Sequence, residues 1–320
     1  MKMDEEEESI NLSDSEVSGV EEVDASSQYD GNNSKRTEKA KKSANTLNVF
    51  ISDKVAPIVV LFGPPACGKT MILVRLCRYL LEKGYSFDAD RSFRGTGDVE
   101  YDDAFNRFCK VVDRNKNNGN AADSTGEIDF LLLKVIDSRG KVICQLLEGP
   151  GELYFNRETP NASFPKFFYT VASSNNRKIW TIITESVPRR GDEEKDSLGN
   201  DGRRLYVDKI NRMLVPSINR NDGTIIVYNK IDRTNLVLHR NEINISEARQ
   251  EVSNLYPGIY SRFENTNPIT KLFRPYNFDF VPFQTGNYNK SEIDGNVAFT
   301  EGADEYPQML WNAILKQIKG

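Results

Sequence analysis

The chain has 320 residues, a mass of 36.3 kDa, a formal net charge of −5 and a mean hydropathy of −0.56. No apolar stretch reaches the roughly 18 residues that a membrane span needs, and a single histidine, His239, excludes a multi-histidine metal site or a Ser-His-Asp triad. The four cysteines lack metal-ligand spacing and no signal-peptide pattern opens the chain, so we expect a reduced, cytoplasmic protein.

Negative charge is concentrated at the front of the chain. Residues 1–34 hold eleven Asp and Glu against one Lys, and residues 35–45 carry a net charge of +4. Because the whole chain carries −5, residues 46–320 are nearly neutral, at about +1, and show no basic stripe for nucleic acid. Residues 1–45 have too few apolar side chains to offset the entropy of ordering. We therefore predict a disordered acidic-then-basic tail over 1–45, serving either solubility or a basic partner, and a folded domain over 46–320.

The first predicted elements are a strand, a loop and a helix in direct succession. The stretch "APIVVLF" (56–62) is short, apolar and rich in branched residues, which predicts a buried, parallel strand. The stretch 69–84 repeats apolar residues with helical spacing and has Gly84 as its expected end. The apolar positions of this helix are Ile72, Leu73, Leu76, Leu80 and Leu81.

The remaining elements alternate between strands and helices. The stretches 128–137 and 141–149 flank "SRG" and predict an antiparallel hairpin. Alternation of this kind predicts a three-layer α/β fold with a mostly parallel sheet. The other predicted strands are 85–90, 178–186, 223–232 and 278–286, and the other predicted helices are 100–115, 164–175, 203–218, 245–264 and 306–318.

The loop between the first strand and the first helix carries the motif "GPPACGKT" (63–70), which matches G-x-x-x-x-G-K-[ST]. Its glycines let the backbone wrap so that N–H groups point at phosphates, aided by the positive end of the following helix. Lys69 is expected to reach the β- and γ-phosphates, and the Thr70 hydroxyl to bind Mg²⁺. We expect Cys67 to point out of this phosphate loop, as a small filler or as a reactive thiol. The nucleotide-binding candidates here are Gly63, Pro64, Pro65, Ala66, Cys67, Gly68, Lys69, Thr70 and Met71.

A second motif, "NKID", follows the apolar strand that ends near Tyr228. Guanine offers N1–H and N2–H₂ as adjacent donors, and the carboxylate of Asp232 can accept both, whereas adenine lacks this pair. A site built on such a carboxylate discriminates strongly, because the wrong base leaves it unpaired. Asn229 is expected to bridge the phosphate loop and the base, and the stem of Lys230 to lie on the purine face.

A third motif, "EGPG", lies between the other two and also follows an apolar strand. Glu148 can hold Mg²⁺ through water, and the Gly151 N–H can bond the γ-phosphate and sense its loss.

Together these motifs resemble the GTPase domain of the Ras-like, translation-factor-related class, over about residues 50–320. "GPPACGKT" is similar to the family's phosphate loop, "EGPG" to its D-x-x-G and "NKID" to its N-K-x-D. The resemblance implies that Thr285 and Gly286 of "FQTG" (283–286) back the base. It also implies GTP/GDP and Mg²⁺ as ligands and a protein effector or activating partner. Among subfamilies, the chain resembles divergent bacterial GTPases of multi-gene conflict systems.

The departures from that family bear on mechanism. Glu148 replaces the usual Asp but keeps its charge. The resemblance implies that Glu152, the residue after "EGPG", orients the attacking water, and a carboxylate at that position predicts slow intrinsic hydrolysis. Thr125, just ahead of the hairpin, is the expected switch threonine that binds Mg²⁺, with Thr96 as the rival, which makes 85–124 an insertion. The implied function is a GTP-hydrolysing switch. The alternatives are a nucleotide-binding scaffold with negligible hydrolysis and a P-loop ATPase or kinase.

Overall fold

The structure is a computed structural model that describes residues 48–95, 97–113, 130–188, 196, 198–236, 244–290 and 297–320. The tail predicted over 1–45 and both candidate switch threonines, Thr96 and Thr125, lie outside the described residues. Within them, no helix combines the length and apolar character needed to cross a membrane. All four cysteines lie in the described part and are free thiols.

A seven-stranded sheet organises the described body, and a two-stranded hairpin stands beside it. The order across the main sheet is β2-β3-β4-β1-β5-β6-β7. Only β3 runs antiparallel to its neighbours, and every other pairing is parallel. The strands are β1 (Ile58–Phe62), β2 (Ser86–Ala89), β3 (Leu131–Ile136), β4 (Val142–Glu148), β5 (Lys178–Glu185), β6 (Gly223–Asn229) and β7 (Asp279–Pro282), with β8 (Gly286–Lys290) and β9 (Val297–Glu301) in the hairpin.

Helices cover both faces of the sheet, as the complete burial of β1, β5 and β6 requires. This confirms the three-layer α/β fold predicted from the alternation of strands and helices. The helices are α1 (Lys69–Glu82), α2 (Val99–Asp113), α3 (Gly151–Tyr154), α4 (Lys166–Ala172), α5 (Gly199–Lys209), α6 (Ile245–Leu255), α7 (Pro268–Phe273) and α8 (Glu305–Lys319).

Three local predictions were wrong or incomplete. The helix predicted over 245–264 ends at Leu255, because Pro257 follows and Gly258 adopts a left-handed φ of 85°. The short helices α3 and α7 were missed, since neither is long enough to show a helical repeat. The hairpin of β8 and β9 was missed as well.

The stretch proposed as an insertion, 85–124, contributes regular structure where it is described. β2 adds an edge strand antiparallel to β3, and α2 packs on α1. Residues 114–129, the rest of that stretch and its junction with β3, lie outside the described residues.

Candidate nucleotide-binding site

The phosphate loop joins the end of β1 to the start of α1, and close contacts fix its backbone. Gly68 adopts φ 88°, and a methyl group there would lie 2.4 Å from the Asn229 side-chain nitrogen. At Gly63 a methyl group would lie 2.6 Å from Cys67 Sγ. Ala66 also takes a left-handed φ, of 58°, which is uncommon for a residue with a Cβ. The two glycines of the motif are therefore required by the fold of the loop itself.

Lys69 lies along the inside of this loop. Its Nζ donates to the carbonyl oxygens of Gly63, at 3.2 Å, and Pro64, at 2.9 Å, and only 6% of the residue is exposed. A buried ammonium this close to the loop backbone is positioned to meet an anion held by the same loop. Met71, in the first turn of α1, is buried behind it.

Cys67 does not point out of the loop as expected. Its side chain is fully buried against Gly63, beneath the loop. Burial raises the pKa of this thiol from 9.0 to about 11, a shift that the nearby Lys69 ammonium only partly opposes. The thiol is therefore protonated at neutral pH, and the reactive-thiol alternative is wrong.

Thr70 and Glu148 meet across the ends of α1 and β4. The Thr70 hydroxyl donates to the Glu148 carboxylate at 2.7 Å, although 78 residues separate the two in sequence. Glu148 is 2% exposed. A hydroxyl and a carboxylate are the hard oxygen ligands that Mg²⁺ prefers. The side chains of Thr70 and Glu148 therefore fit the Mg²⁺ ion that the motifs imply.

Gly151 packs directly on the phosphate loop from the β4 side. A methyl group at Gly151 would lie 2.4 Å from the Pro65 nitrogen and 2.6 Å from the Pro64 carbonyl oxygen. The short helix α3 that begins here is anchored by Tyr154, whose ring lies 5.1 Å from that of Phe62 at the end of β1. Burial and, secondarily, the Glu148 carboxylate raise the pKa of the Tyr154 phenol. Glu152, the candidate for orienting water, is partly exposed beside Gly151.

The "NKID" segment contacts the loop from the other side. The Asn229 amide donates to the Cys67 carbonyl at 2.9 Å, and Lys230 Nζ donates to the Ala66 carbonyl at 2.9 Å. These bonds span 162 and 164 residues of sequence. The sequence prediction that Asn229 bridges to the loop thus agrees with the geometry.

Asp232 and the "FQTG" segment form a continuous rim next to these contacts. Asp232 lies half-buried in a 3₁₀ turn, Ile231–Arg233, whose Ile231 N–H donates to the Phe283 carbonyl at 3.3 Å. Thr285 is 8% exposed, and its carbonyl accepts from Gly302 N–H at 3.2 Å. Gly286 begins β8.

Two arginines that follow β2, Arg91 and Arg94, form ion pairs within their own stretch of the chain. Arg91 pairs with Asp102 at 2.5 Å, and Arg94 pairs with Asp98 at 3.0 Å, both within the stretch 85–124. Both arginines follow β2, three strands away from β1 in the sheet order. Their side chains support the fold of that stretch.

Sequence reasoning missed two residues of this site, Glu185 and Ser186. Glu185 is the last residue of the apolar strand β5 and Ser186 follows it, and the carboxyl end of this strand lies beside the loop. Their place is the only signal, because polar residues at the carboxyl ends of central parallel strands lie at the ligand edge of such sheets, and this place alone does not distinguish them from residues of a turn.

No protein-family model matches the chain, and no curated protein does. The solved structure of nucleolar GTP-binding protein 1 from Plasmodium falciparum is 13% identical with a TM-score of 0.38, covering 85% of this chain and 90% of that one. GDP-bound Roco2 RocCORdC of Methanosarcina barkeri is 14% identical with a TM-score of 0.29, covering 85% of this chain and 52% of that one. GDP-bound aIF5B from Aeropyrum pernix is 15% identical with a TM-score of 0.33, covering 82% of this chain and 36% of that one. At these identities and TM-scores, likeness to the three structures assigns no function to this chain.

Proposed function

We propose that this chain binds guanine nucleotides, hydrolyses GTP with Mg²⁺ and acts as a nucleotide-dependent switch. The observation that carries the proposal is the 2.9 Å hydrogen bond from the Asn229 amide to the Cys67 carbonyl, which joins the base motif to the phosphate loop. A mononucleotide spans the same two features, because its phosphates lie in the loop and its base at a neighbouring strand end. Asn229 Oδ1 is buried and has no hydrogen-bond partner among the described residues, so it keeps an acceptor for a ligand.

Recognition of guanine is assigned to Asp232. Its carboxylate accepts both N1–H and N2–H₂ of guanine, and the stem of Lys230 supports the ring face. The backbone at Thr285 and Gly286 closes the rim behind the base. Adenine does not offer this adjacent pair of donors, which supports selectivity for guanine over adenine.

The phosphate chemistry is assigned to Lys69, Thr70 and Glu148. Lys69 would bind the β- and γ-phosphates, and Thr70 and Glu148 would hold Mg²⁺. When bound, Mg²⁺ supplies positive charge to the phosphoryl group that is transferred. Glu152 holds the attacking water only weakly, because its own charge repels the γ-phosphate, so intrinsic hydrolysis is slow.

The switch is assigned to Gly151 and Thr125. Gly151 N–H would bond the γ-phosphate and Thr125 would help to hold Mg²⁺, so loss of that phosphate would release both segments to a protein effector or activating partner. The slow hydrolysis expected from Glu152 also favours a second candidate, a nucleotide-binding scaffold with negligible turnover. The kinship with bacterial conflict-system GTPases stays a prediction from the resemblance.

The test is calorimetric titration of the purified chain with GDP, GTP and ATP in the presence of Mg²⁺. We expect guanine nucleotides to bind and ATP to bind far more weakly, and Asp232→Ala to abolish GDP binding. Equal or tighter binding of ATP would overturn the guanine assignment. Phosphate release from GTP, measured with the same protein, separates a slow hydrolase from a scaffold without turnover.

A further inference from the structure

Lys230 is held by two residues that no motif identifies. Glu185, the last residue of β5, lies opposite Asn229 in the register with β6, and its side chain is 4% exposed. Its carboxylate lies 2.6 Å from Lys230 Nζ. The ammonium therefore has two anchors, the Glu185 carboxylate and, at 2.9 Å, the Ala66 carbonyl of the phosphate loop.

The backbone of Lys230 is held as firmly as its side chain. Lys230 adopts a left-handed conformation, φ 58° and ψ 36°, which is unfavourable for a residue with a Cβ. The Ser186 hydroxyl donates to the Lys230 carbonyl at 2.5 Å, and the Ser186 N–H donates to the Asn229 carbonyl at 3.2 Å. These two bonds compensate the strain and set the direction in which the side chain leaves the backbone.

Glu185 is itself fixed from behind by Tyr256. The Tyr256 hydroxyl accepts from the Glu185 N–H at 3.1 Å and donates to the Glu185 carbonyl at 3.2 Å. Tyr256 is fully buried at the end of α6. Glu185 is thus fixed within the packed core and is not a mobile side chain on the surface.

We propose that Glu185 and Ser186 form a lysine clamp, a pair of positioning residues that hold Lys230 against the purine face. The proposal rests on the guanine-binding function proposed above. An unrestrained lysine stem loses considerable rotamer entropy when a base packs on it, and the clamp removes that loss in advance. Because Glu185 also neutralises the ammonium, Lys230 acts mainly through its stem and contributes little charge to the phosphates.

The first experiment measures Lys230 without any nucleotide. Pulse acylation with acetic anhydride at fixed pH, read by mass spectrometry, gives the rate at which the Lys230 amine reacts. We expect Glu185→Gln to raise that rate about fivefold, because the ion pair that covers the amine is lost. Asp222→Asn is the matched control, since Asp222 lies 3.8 Å from Lys178 Nζ in a buried pair at the opposite end of β5. An unchanged rate in Glu185→Gln would overturn the clamp.

The second experiment measures GDP affinity by calorimetry in a double-mutant cycle. We expect Glu185→Gln to weaken GDP binding about tenfold in the wild-type background and to have no such effect beside Lys230→Met, which keeps the stem but not the charge. Ser186→Ala, which changes no charge, should weaken GDP binding about fivefold, whereas Ser217→Ala, a remote hydroxyl bonded to the Met213 carbonyl at 2.9 Å, should not. If Glu185→Gln weakened GDP binding equally in the wild-type and the Lys230→Met backgrounds, the proposal would be contradicted.

The two experiments separate the clamp from the function on which it rests. If the wild-type chain binds no guanine nucleotide, the proposed function fails, and the acylation rates still decide whether Glu185 holds Lys230. If GDP binds but neither variant of the clamp changes its affinity, the function stands and the clamp is wrong.

Discussion

The two flanks of the phosphate loop are built in different ways. On the flank of β5 and β6, Asn229 and Lys230 donate hydrogen bonds to the loop carbonyls. Asn229 is the last residue of the fully buried strand β6, and Lys230 follows it directly. On the flank of β4, Gly151 meets the loop through backbone packing on Pro64 and Pro65. That glycine begins a helix of only four residues, anchored mainly by Tyr154.

This difference suits the flank of β5 and β6 to binding the base, and the flank of β4 to responding to the γ-phosphate. Hydrogen bonds from core strands fix the base side in one arrangement before any nucleotide arrives. A short helix that rests on van der Waals contact can move without breaking the sheet, which is what a sensor of the γ-phosphate requires. We therefore expect changes on the base side to affect GDP and GTP alike, and changes at Gly151 to affect GTP and its turnover.

The largest effect is expected from Gly68→Ala. The substitution forces a Cβ into a left-handed conformation and to within 2.4 Å of the Asn229 amide, which breaks its bond to the loop. GDP and GTP affinity should both fall on the order of 100-fold, measured by calorimetry. The control is Gly202→Ala, where the new methyl group meets only ordinary contacts at 3.4 Å or more. A loss of affinity for GTP with unchanged affinity for GDP would contradict the proposed difference between the two flanks.

Gly151→Ala should affect the other flank. A methyl group there collides with the backbone of Pro64 and Pro65 at 2.4 to 2.6 Å, so α3 must shift away from the loop. GTP turnover should fall about 100-fold, as expected for a displaced reacting geometry, while GDP affinity changes only a few-fold. Single-turnover phosphate release and GDP titration measure the two quantities. An equal loss of GDP binding would mean that this flank is not separate from the base side.

Glu148→Gln should change the response to metal. Wild-type affinity for GTP should fall when EDTA removes Mg²⁺, because the Thr70 hydroxyl and the Glu148 carboxylate, 2.7 Å apart, then hold no cation. In the variant, the apparent Mg²⁺ affinity should be about tenfold lower, a typical cost of losing a residue that holds a metal's water. Glu158→Gln, at an exposed position shortly after α3, should leave the Mg²⁺ dependence unchanged.

The smallest effect concerns the interior of the loop that both flanks share. Burial raises the pKa of Cys67 to about 11, so the unfolded chain loses this thiol proton near pH 9 while the folded chain keeps it. The stabilisation is complete below pH 9 and declines between pH 9 and 11, by up to about 1.4 kcal/mol per pH unit. Urea unfolding of wild type and Cys67→Ala at pH 8 and 10 tests this. The wild type should lose more stability than the variant, and identical losses would contradict the burial argument.

Sequence reasoning reached the fold and the three motifs for a physical reason. Apolar runs ending in Gly63, Glu148 and Asn229 mark buried strands whose carboxyl ends share one edge of the sheet. It missed Glu185 and Ser186 because a single polar pair at a strand end has no spacing that distinguishes it from a turn. It misplaced Cys67 because the φ angles at Ala66 and Gly68 decide whether a side chain lies above or beneath the loop. A sequence motif does not reveal those angles.

The central claim is that Asp232 reads the base of a nucleotide held by this loop. Asp232→Asn tests it most directly, because xanthine carries a carbonyl at C2 where guanine carries an amine. An amide at position 232 can donate to that carbonyl while still accepting from N1–H, so it should favour xanthine. Calorimetric titration of both proteins with GDP and xanthosine diphosphate should show the preference reversed in the variant. An unchanged preference for GDP, or no preference in either protein, would contradict the account.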